Sequence, residues 1–263
     1  RNRTTCLGWT ASDKDSYCTF YRGNFVFPEF EKKKSFHDDL IDESQFDEFV
    51  RVCYSEFLKF DNKLALRSAL YSAISPPSTL EMSFLKTFAG LETLILDFRR
   101  RENLEFVIPE KDWGDLRKYI QKCLKNSTMP KLEKDQRSSI YCKLNELNRV
   151  SLREAFELFC QKYLIDLSDL WPVFGKNGLV GLVDIRNKLI HGDPFHGDMH
   201  DEIFVANWHL KYTLERAICR VLQWNIDETR ISSRYLESKM TVLKQWSYKQ
   251  ASLTNYIQSH CHY

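Results

Sequence analysis

From about residue 41 onward the apolar residues recur at i, i+3, i+4 and i+7, the spacing that lays one greasy stripe along a helix. Phe46, Phe49, Val50, Cys53 and Phe57 form the first such stripe. A second pattern covers 62–74. Ser78-Thr-Leu-Glu81, directly after Pro76-Pro77, has the form of a capping box and opens a segment to Arg101 in which Leu80, Phe84, Phe88, Leu91 and Ile95 share a face. That segment reads as a central helix. The same periodicity predicts helices over about 110–126, 131–148, 151–165, 177–191, 198–226 and 231–258, with a second capping box at Ser151-Leu-Arg-Glu154. The expected architecture is an all-α bundle.

The first 40 residues read differently. Gly8, Trp9, Gly23 and Pro28 punctuate short aromatic runs, Tyr17-Cys-Thr-Phe-Tyr21 and Asn24-Phe-Val-Phe27, which are strand and turn signals. The polar stretch from Lys32 to Asp39 then has the composition of a linker. The expected organisation is a short β-rich or irregular remnant, or linker, over 1–40 and a helical domain over 41–263. Because the sequence opens on Arg1 rather than Met, it is expected to be the C-terminal piece of a longer protein.

Composition changes this picture little. Lys and Arg total 38 against 36 for Asp and Glu, so a net charge of +2 excludes the strongly basic surface of a general nucleic-acid binder. Any RNA surface must be local. Lys32-Lys33-Lys34, Arg99-Arg100-Arg101 and the helical stripe Lys118, Lys122, Lys125 are candidates, with a solvated charged face as the plainer reading of each. Eight cysteines form no C-x-x-C pair and sit mostly inside helical patterns, where a free thiol packs as a small hydrophobe, so a reducing compartment is expected. No stretch approaches the roughly 18 to 20 apolar residues of a membrane span. The chain start lacks the apolar core of a signal peptide. A cytoplasmic protein follows.

Five of the nine glycines, at 175, 178, 181, 192 and 197, fall in one window, the irregular part of an otherwise helical text. Within it, Asn177 to His191 reads as a helix that buries Leu179, Leu182, Val183 and Ile190 and ends at Gly192, since Asp193-Pro194 forbids continuation. His191 then lies in the last turn, where the negative end of the helix dipole favours an imidazolium. Arg186, five residues earlier, is rotated by about 140° on an ideal helix, an offset that a guanidinium arm can span. The pair offers a proton donor and acceptor near neutral pH and a planar cation suited to phosphate oxygens. Metal-free RNA cleavage needs both: the 2′-hydroxyl must lose a proton, the leaving 5′-oxygen must gain one, and the phosphorane needs its charge stabilised. Asn187 is placed to orient the pair or to hold the ribose. On spacing alone, a surface ion pair at Arg186 and a helix-end cap at His191 have the stronger claim.

The wider run Asp184-Ile-Arg-Asn-Lys-Leu-Ile-His-Gly192 resembles the R-x(4–6)-H signature of the HEPN superfamily, including the polar residue after the arginine and the closing glycine. It is similar in particular to the Apea-like HEPN domains of bacterial anti-phage proteins, in which an earlier helix carries a run like Phe84-Leu-Lys-Thr-Phe-Ala-Gly-Leu-Glu-Thr-Leu94. The resemblance covers residues 41 to 230. It implies an all-helical HEPN-type bundle, a homodimer that brings two such motifs together, and metal-independent endoribonuclease activity in phage defence or abortive infection. Host or phage RNA, tRNA among it, is the implied target. By the same resemblance Arg186 stabilises phosphate, His191 moves protons, Asn187 positions them, and Glu92 is a supporting residue on the neighbouring helix. An exposed or ion-paired glutamate is the plainer reading of Glu92. A HEPN module that binds RNA or protein without cleaving is the alternative function.

Asp193, His196, Asp198, His200 and Asp201 follow at once and have the residue types of a metal site, which would make the chain a metal-dependent phosphohydrolase. Metallophosphoesterase ligands sit at strand ends, however, whereas this loop joins two helices. A solvated loop whose Asp198 begins the next helix is the expected reading, with His196 as a possible RNA-contacting residue of a lid. No metal and no cofactor is expected. Trp171-Pro172 marks a break between helices, Trp208 and Trp224 fit a core stripe, and His260-Cys-His262 is too short to make a zinc site.

Overall fold

The computed structural model describes the backbone of residues 3–11 and 18–26, and residues 40–74, 79–126, 133–192, 195, 197–239 and 246–260. The chain divides after Leu40 into two compact units. In the first, strand β1 (Arg3–Ala11) pairs antiparallel with β2 (Cys18–Val26), in a register that sets Arg3 opposite Val26 and Ala11 opposite Cys18. Most of the two aromatic runs falls on β2; Gly8 and Trp9, read as punctuation, lie inside β1.

The second unit, from Ile41, is helical. Its described helices are α1 (Phe46–Lys59), α2 (Lys63–Ile74), α3 (Leu80–Arg101), α4 (Glu110–Asn126), α5 (Lys134–Lys143), α6 (Leu152–Tyr163), α7 (Leu182–Ile190), α8 (His200–Val221), α9 (Ser233–Lys239) and α10 (Trp246–His260). Among the described residues, no helix is long and apolar enough to cross a membrane.

Two 22-residue helices, α3 and α8, make the centre. On α3 the expected stripe is buried except at its half-buried first member, Leu80: Phe84, Phe88, Leu91 and Ile95, together with Leu94 and Phe98, are all but inaccessible. Each such side chain contributes about 1.5–3 kcal/mol on leaving water. Thr79 caps the helix, its hydroxyl accepting the Met82 N–H at 3.2 Å. α2, α6, α7 and α8 all pack on α3, and α10 packs on α8. Arg216 of α8 is fully buried. It donates to both Asp169 oxygens at 2.6 and 2.7 Å and to the carbonyls of Ile231 and Asp166 at 2.7 and 3.0 Å, joining α8 to the segments on either side of it. Burial alone would raise the Asp169 carboxyl, but the hydrogen bonds and charge of Arg216 reverse this and hold it below its ordinary value.

Several expectations need correction. The α1 stripe is half-covered: Cys53 is buried and Phe49 meets Trp224 edge-on at 5.2 Å, but Phe46 and Val50 are exposed. The 131–148 segment is α5 followed by a 3-10 turn at Leu144–Asn148, whose buried last residue, Asn148, pins Ile108, donating to its carbonyl and accepting its N–H at 3.0 Å each. The 151–165 helix stops at Tyr163, since Leu164 takes a left-handed conformation (φ 53°). Among the described residues of the C-terminal segment, 233–239 form α9 and 246–260 form α10. Of the Arg99-Arg100-Arg101 run, only Arg100 is exposed. Arg99 donates to the Val150 carbonyl, while Arg101 pairs with Asp97 at 2.8 Å and lies over the Phe60 ring. The Lys32-Lys33-Lys34 run lies outside the described residues.

Candidate functional site

The helix that carries the arginine and histidine is shorter than its sequence suggests. Lys176 and Leu179 form an isolated bridge, with Asn177 (φ 54°) and Gly178 (φ 79°) both left-handed between them, so 176–179 is a tight turn and α7 starts only at Leu182. Leu179 and Ile190, expected inside, are exposed, and Ile185 takes the buried place beside Leu182. The start of α7 is held by a close backbone approach. The Leu182 and Val183 N–H groups donate to the Pro172 and Val173 carbonyls at 3.0 and 2.9 Å, satisfying donors that a helix start leaves open. Asp184 reaches back to accept the Gly181 N–H at 2.7 Å. Gly175 and Gly181 make this approach possible. A Cβ on Gly181 would stand 2.5 Å from the Phe174 carbonyl carbon, and one on Gly175 would stand 2.5 Å from the Leu179 oxygen.

The C-terminal helix holds the same segment from the other side. Thr254 Oγ1 accepts the Val180 N–H at 3.1 Å, and Gln250 Nε2 donates to the Val180 carbonyl at 2.7 Å. That carbonyl also accepts the Trp171 indole N–H at 3.1 Å. Trp171 is buried, and its backbone N–H donates to His209 Nδ1 at 3.1 Å.

On this support Arg186 points at α3. Its Nη2 lies 3.1 Å from Glu92 Oε2 and 3.4 Å from Oε1, its Nη1 donates to Asn187 Oδ1 at 3.0 Å, and its Cζ lies 5.6 Å from the centre of the Phe88 ring. Phe88 was legible only as a core residue, although its place one turn before Glu92 is a signal for this stacking. The Arg186 side chain keeps 29% of its surface exposed, and among the described residues its Nε–H makes no hydrogen bond. His191 caps α7: its backbone N–H donates to the Asn187 carbonyl at 3.0 Å, and the residue is exposed. Asn187 therefore bonds to both, through its side chain to Arg186 and through its backbone to His191. Gly192 follows in the left-handed region (φ 79°), as a helix C′ position favours.

Beyond the glycine, Phe195 stacks near Tyr256 of α10 with ring centres 5.9 Å apart, and Lys188 Nζ stands 5.7 and 6.0 Å from those two rings. Sequence reading missed this anchor. His196, the expected RNA-contacting residue, lies outside the described residues, as do Asp193 and Pro194. Asp198 and His200 are exposed, and Asp201 stands 3.9 Å from His200 Nδ1 and 4.0 Å from Lys249 Nζ. Among the described residues no group of three His, Cys, Asp or Glu side chains is placed to hold a metal ion. Cys53, Cys123, Cys142, Cys160 and Cys219 are free. Burial pushes the Cys53 thiol to about 11, and burial with the Glu157 charge pushes Cys160 to about 12, so both are held as unreactive thiols.

No protein-family model, curated protein or solved structure matches this chain.

Proposed function

We propose that this chain is a HEPN-type endoribonuclease that cuts RNA without a metal, acting in the cytoplasm in phage defence or abortive infection. The observation that carries the reading is the Asp184–Gly192 run with its arginine held by Glu92 and Asn187 yet still partly open to solvent. His191 Nε2 or Nδ1 takes the proton of a ribose 2′-hydroxyl, and the 2′-oxygen attacks the adjacent phosphorus. The bond to the 5′-oxygen breaks, that oxygen takes a proton, and the products are a 2′,3′-cyclic phosphate and a 5′-hydroxyl. Arg186 supplies fixed positive charge to the phosphorane. One helix end offers one histidine whereas the reaction uses both an acid and a base, so the active unit is a homodimer with two such ends.

The Arg186–Glu92 pair and the capping position of His191 also fit a module that binds RNA or protein without cutting. Purified wild type, Arg186→Ala and His191→Ala, incubated with total RNA with and without EDTA, separate the readings. Expected is EDTA-resistant cleavage leaving 2′,3′-cyclic phosphate ends, lost in both variants. Intact RNA with the wild type assigns the binding module, and cleavage abolished by EDTA overturns the metal-free chemistry.

A further inference from the structure

Helix α4 stands apart from the core. It buries only Trp113, and its neighbour α5 buries none of its residues. Lys111, Lys118, Lys122 and Lys125 on α4 are all exposed, and at 3.6 residues per turn they fall within about 60° of one another around the axis, along about 20 Å of helix. Asp115, at the edge of this stripe, stands 3.2 Å from Lys118 Nζ. Lys111, Lys122 and Lys125 make no ion pair among the described residues.

Local stability does not account for the arrangement. Lysines at i, i+3 and i, i+4, as in Lys118, Lys122 and Lys125, repel one another along a helix face. The helix dipole favours Lys125 in the last turn but opposes Lys111 in the first. What the stripe fits is an extended polyanion. Tyr119, on the flank beside Asp115, is 65% exposed and offers a ring where successive bases can stack.

We propose that the α4 lysine stripe is a track for a single-stranded stretch of RNA, with phosphates over Lys111, Lys118, Lys122 and Lys125 and a base on Tyr119. The choice of RNA as the polyanion rests on the nuclease reading above. Lysine–phosphate contacts and stacking on a ring carry no base-edge information, so the track is sensitive to salt and is expected to bind with little sequence preference.

The test is fluorescence anisotropy of a labelled 20-nucleotide oligouridine with the full chain carrying His191→Ala, titrated across salt concentrations. Four phosphate contacts give a slope of log affinity against log salt of about −2.8. Adding Lys118→Gln, Lys122→Gln and Lys125→Gln brings it to about −0.7. Adding Tyr119→Ala instead weakens binding roughly tenfold at fixed salt. A slope that the triple variant leaves unchanged overturns the track. So does polyglutamate of equal charge competing as well as unlabelled RNA, which would assign the stripe to an acidic protein. The two proposals fail separately: RNA left uncut by the wild type, with the slope still lost in the triple variant, sinks the nuclease and keeps the track. Cleavage with an unmoved slope does the reverse.

Discussion

Arg186 and Glu92, 94 residues apart in the chain, meet with Nη2 3.1 Å from a carboxylate oxygen, and the Phe88 ring lies one helical turn from Glu92 beneath the same guanidinium. Both side chains are about a quarter exposed, at 29% and 26%. A pair in this setting lies between a surface ion pair, worth at most about 1 kcal/mol, and a buried one that costs several kcal/mol to break. It fixes the guanidinium plane, which is what an arginine that meets a phosphate needs. The same carboxylate also neutralises part of the charge that a phosphate would use.

Charge reversal separates the two roles. Arg186→Glu and Glu92→Arg singly are each expected to lower the stability read from urea unfolding by about 1–2 kcal/mol, with the double variant regaining about 1 kcal/mol through the re-formed pair. RNA cleavage should stay absent in the double variant, because the cation is then on α3. Additive stabilities would show that the pair contributes no coupling, and recovered cleavage would show that Arg186 is not the phosphate-binding group.

The glycines around α7 should rank by what surrounds them. Gly181→Ala drives a methyl into the Phe174 backbone and is expected to cost at least about 2 kcal/mol, since no side chain there can move aside. Gly178→Ala meets open space and bears only the left-handed backbone at φ 79°, about 1–2 kcal/mol. Denaturant midpoints that place Gly178→Ala as the worse of the two would contradict the close backbone approach that starts α7.

How much of this was legible varies by element. The buried face of α3 and the Ser151 cap, whose hydroxyl accepts the Glu154 N–H at 3.1 Å, follow directly from periodicity and capping chemistry, both local. The start of α7 was misplaced because Leu179, Leu182 and Val183 match a helical period, whereas Asn177-Gly178 carries the turn signal that decided the matter. Resemblance marks Glu92 only as a supporting residue on the neighbouring helix, and no spacing along the chain encodes its contact with Arg186 across 94 residues. Gln250 and Thr254 were invisible for the same reason: their work is done on Val180, 70 and 74 residues away.

Those two residues give unequal predictions. In Thr254→Val the Val180 N–H loses its acceptor inside the protein, an expected loss of about 1–3 kcal/mol. In Gln250→Leu the Val180 carbonyl keeps the Trp171 indole N–H, so the loss should be smaller, about 1 kcal/mol or less. Hydrogen exchange at the Val180 amide should accelerate in Thr254→Val and change little in Gln250→Leu. Equal acceleration in both would mean that α10 holds the segment by packing rather than by these bonds.

Glu215 of α8 should make stability depend on pH. Burial raises its carboxyl to about 7, against the pull of Lys211, whose Nζ stands 3.7 Å away. The folded protein therefore keeps a proton that the unfolded chain, with an ordinary value of 4.5, gives up. Below 4.5 the contribution is fully present. It declines as pH rises from 4.5 toward 7 and is gone above that, a total on the order of 3 kcal/mol at most. Glu215→Gln cannot titrate, so its denaturation midpoint should rise relative to wild type as pH goes from 5 to 8. Midpoints that run parallel across that range would place the Glu215 carboxylate in contact with water, or its charge fully matched by Lys211, in the native fold.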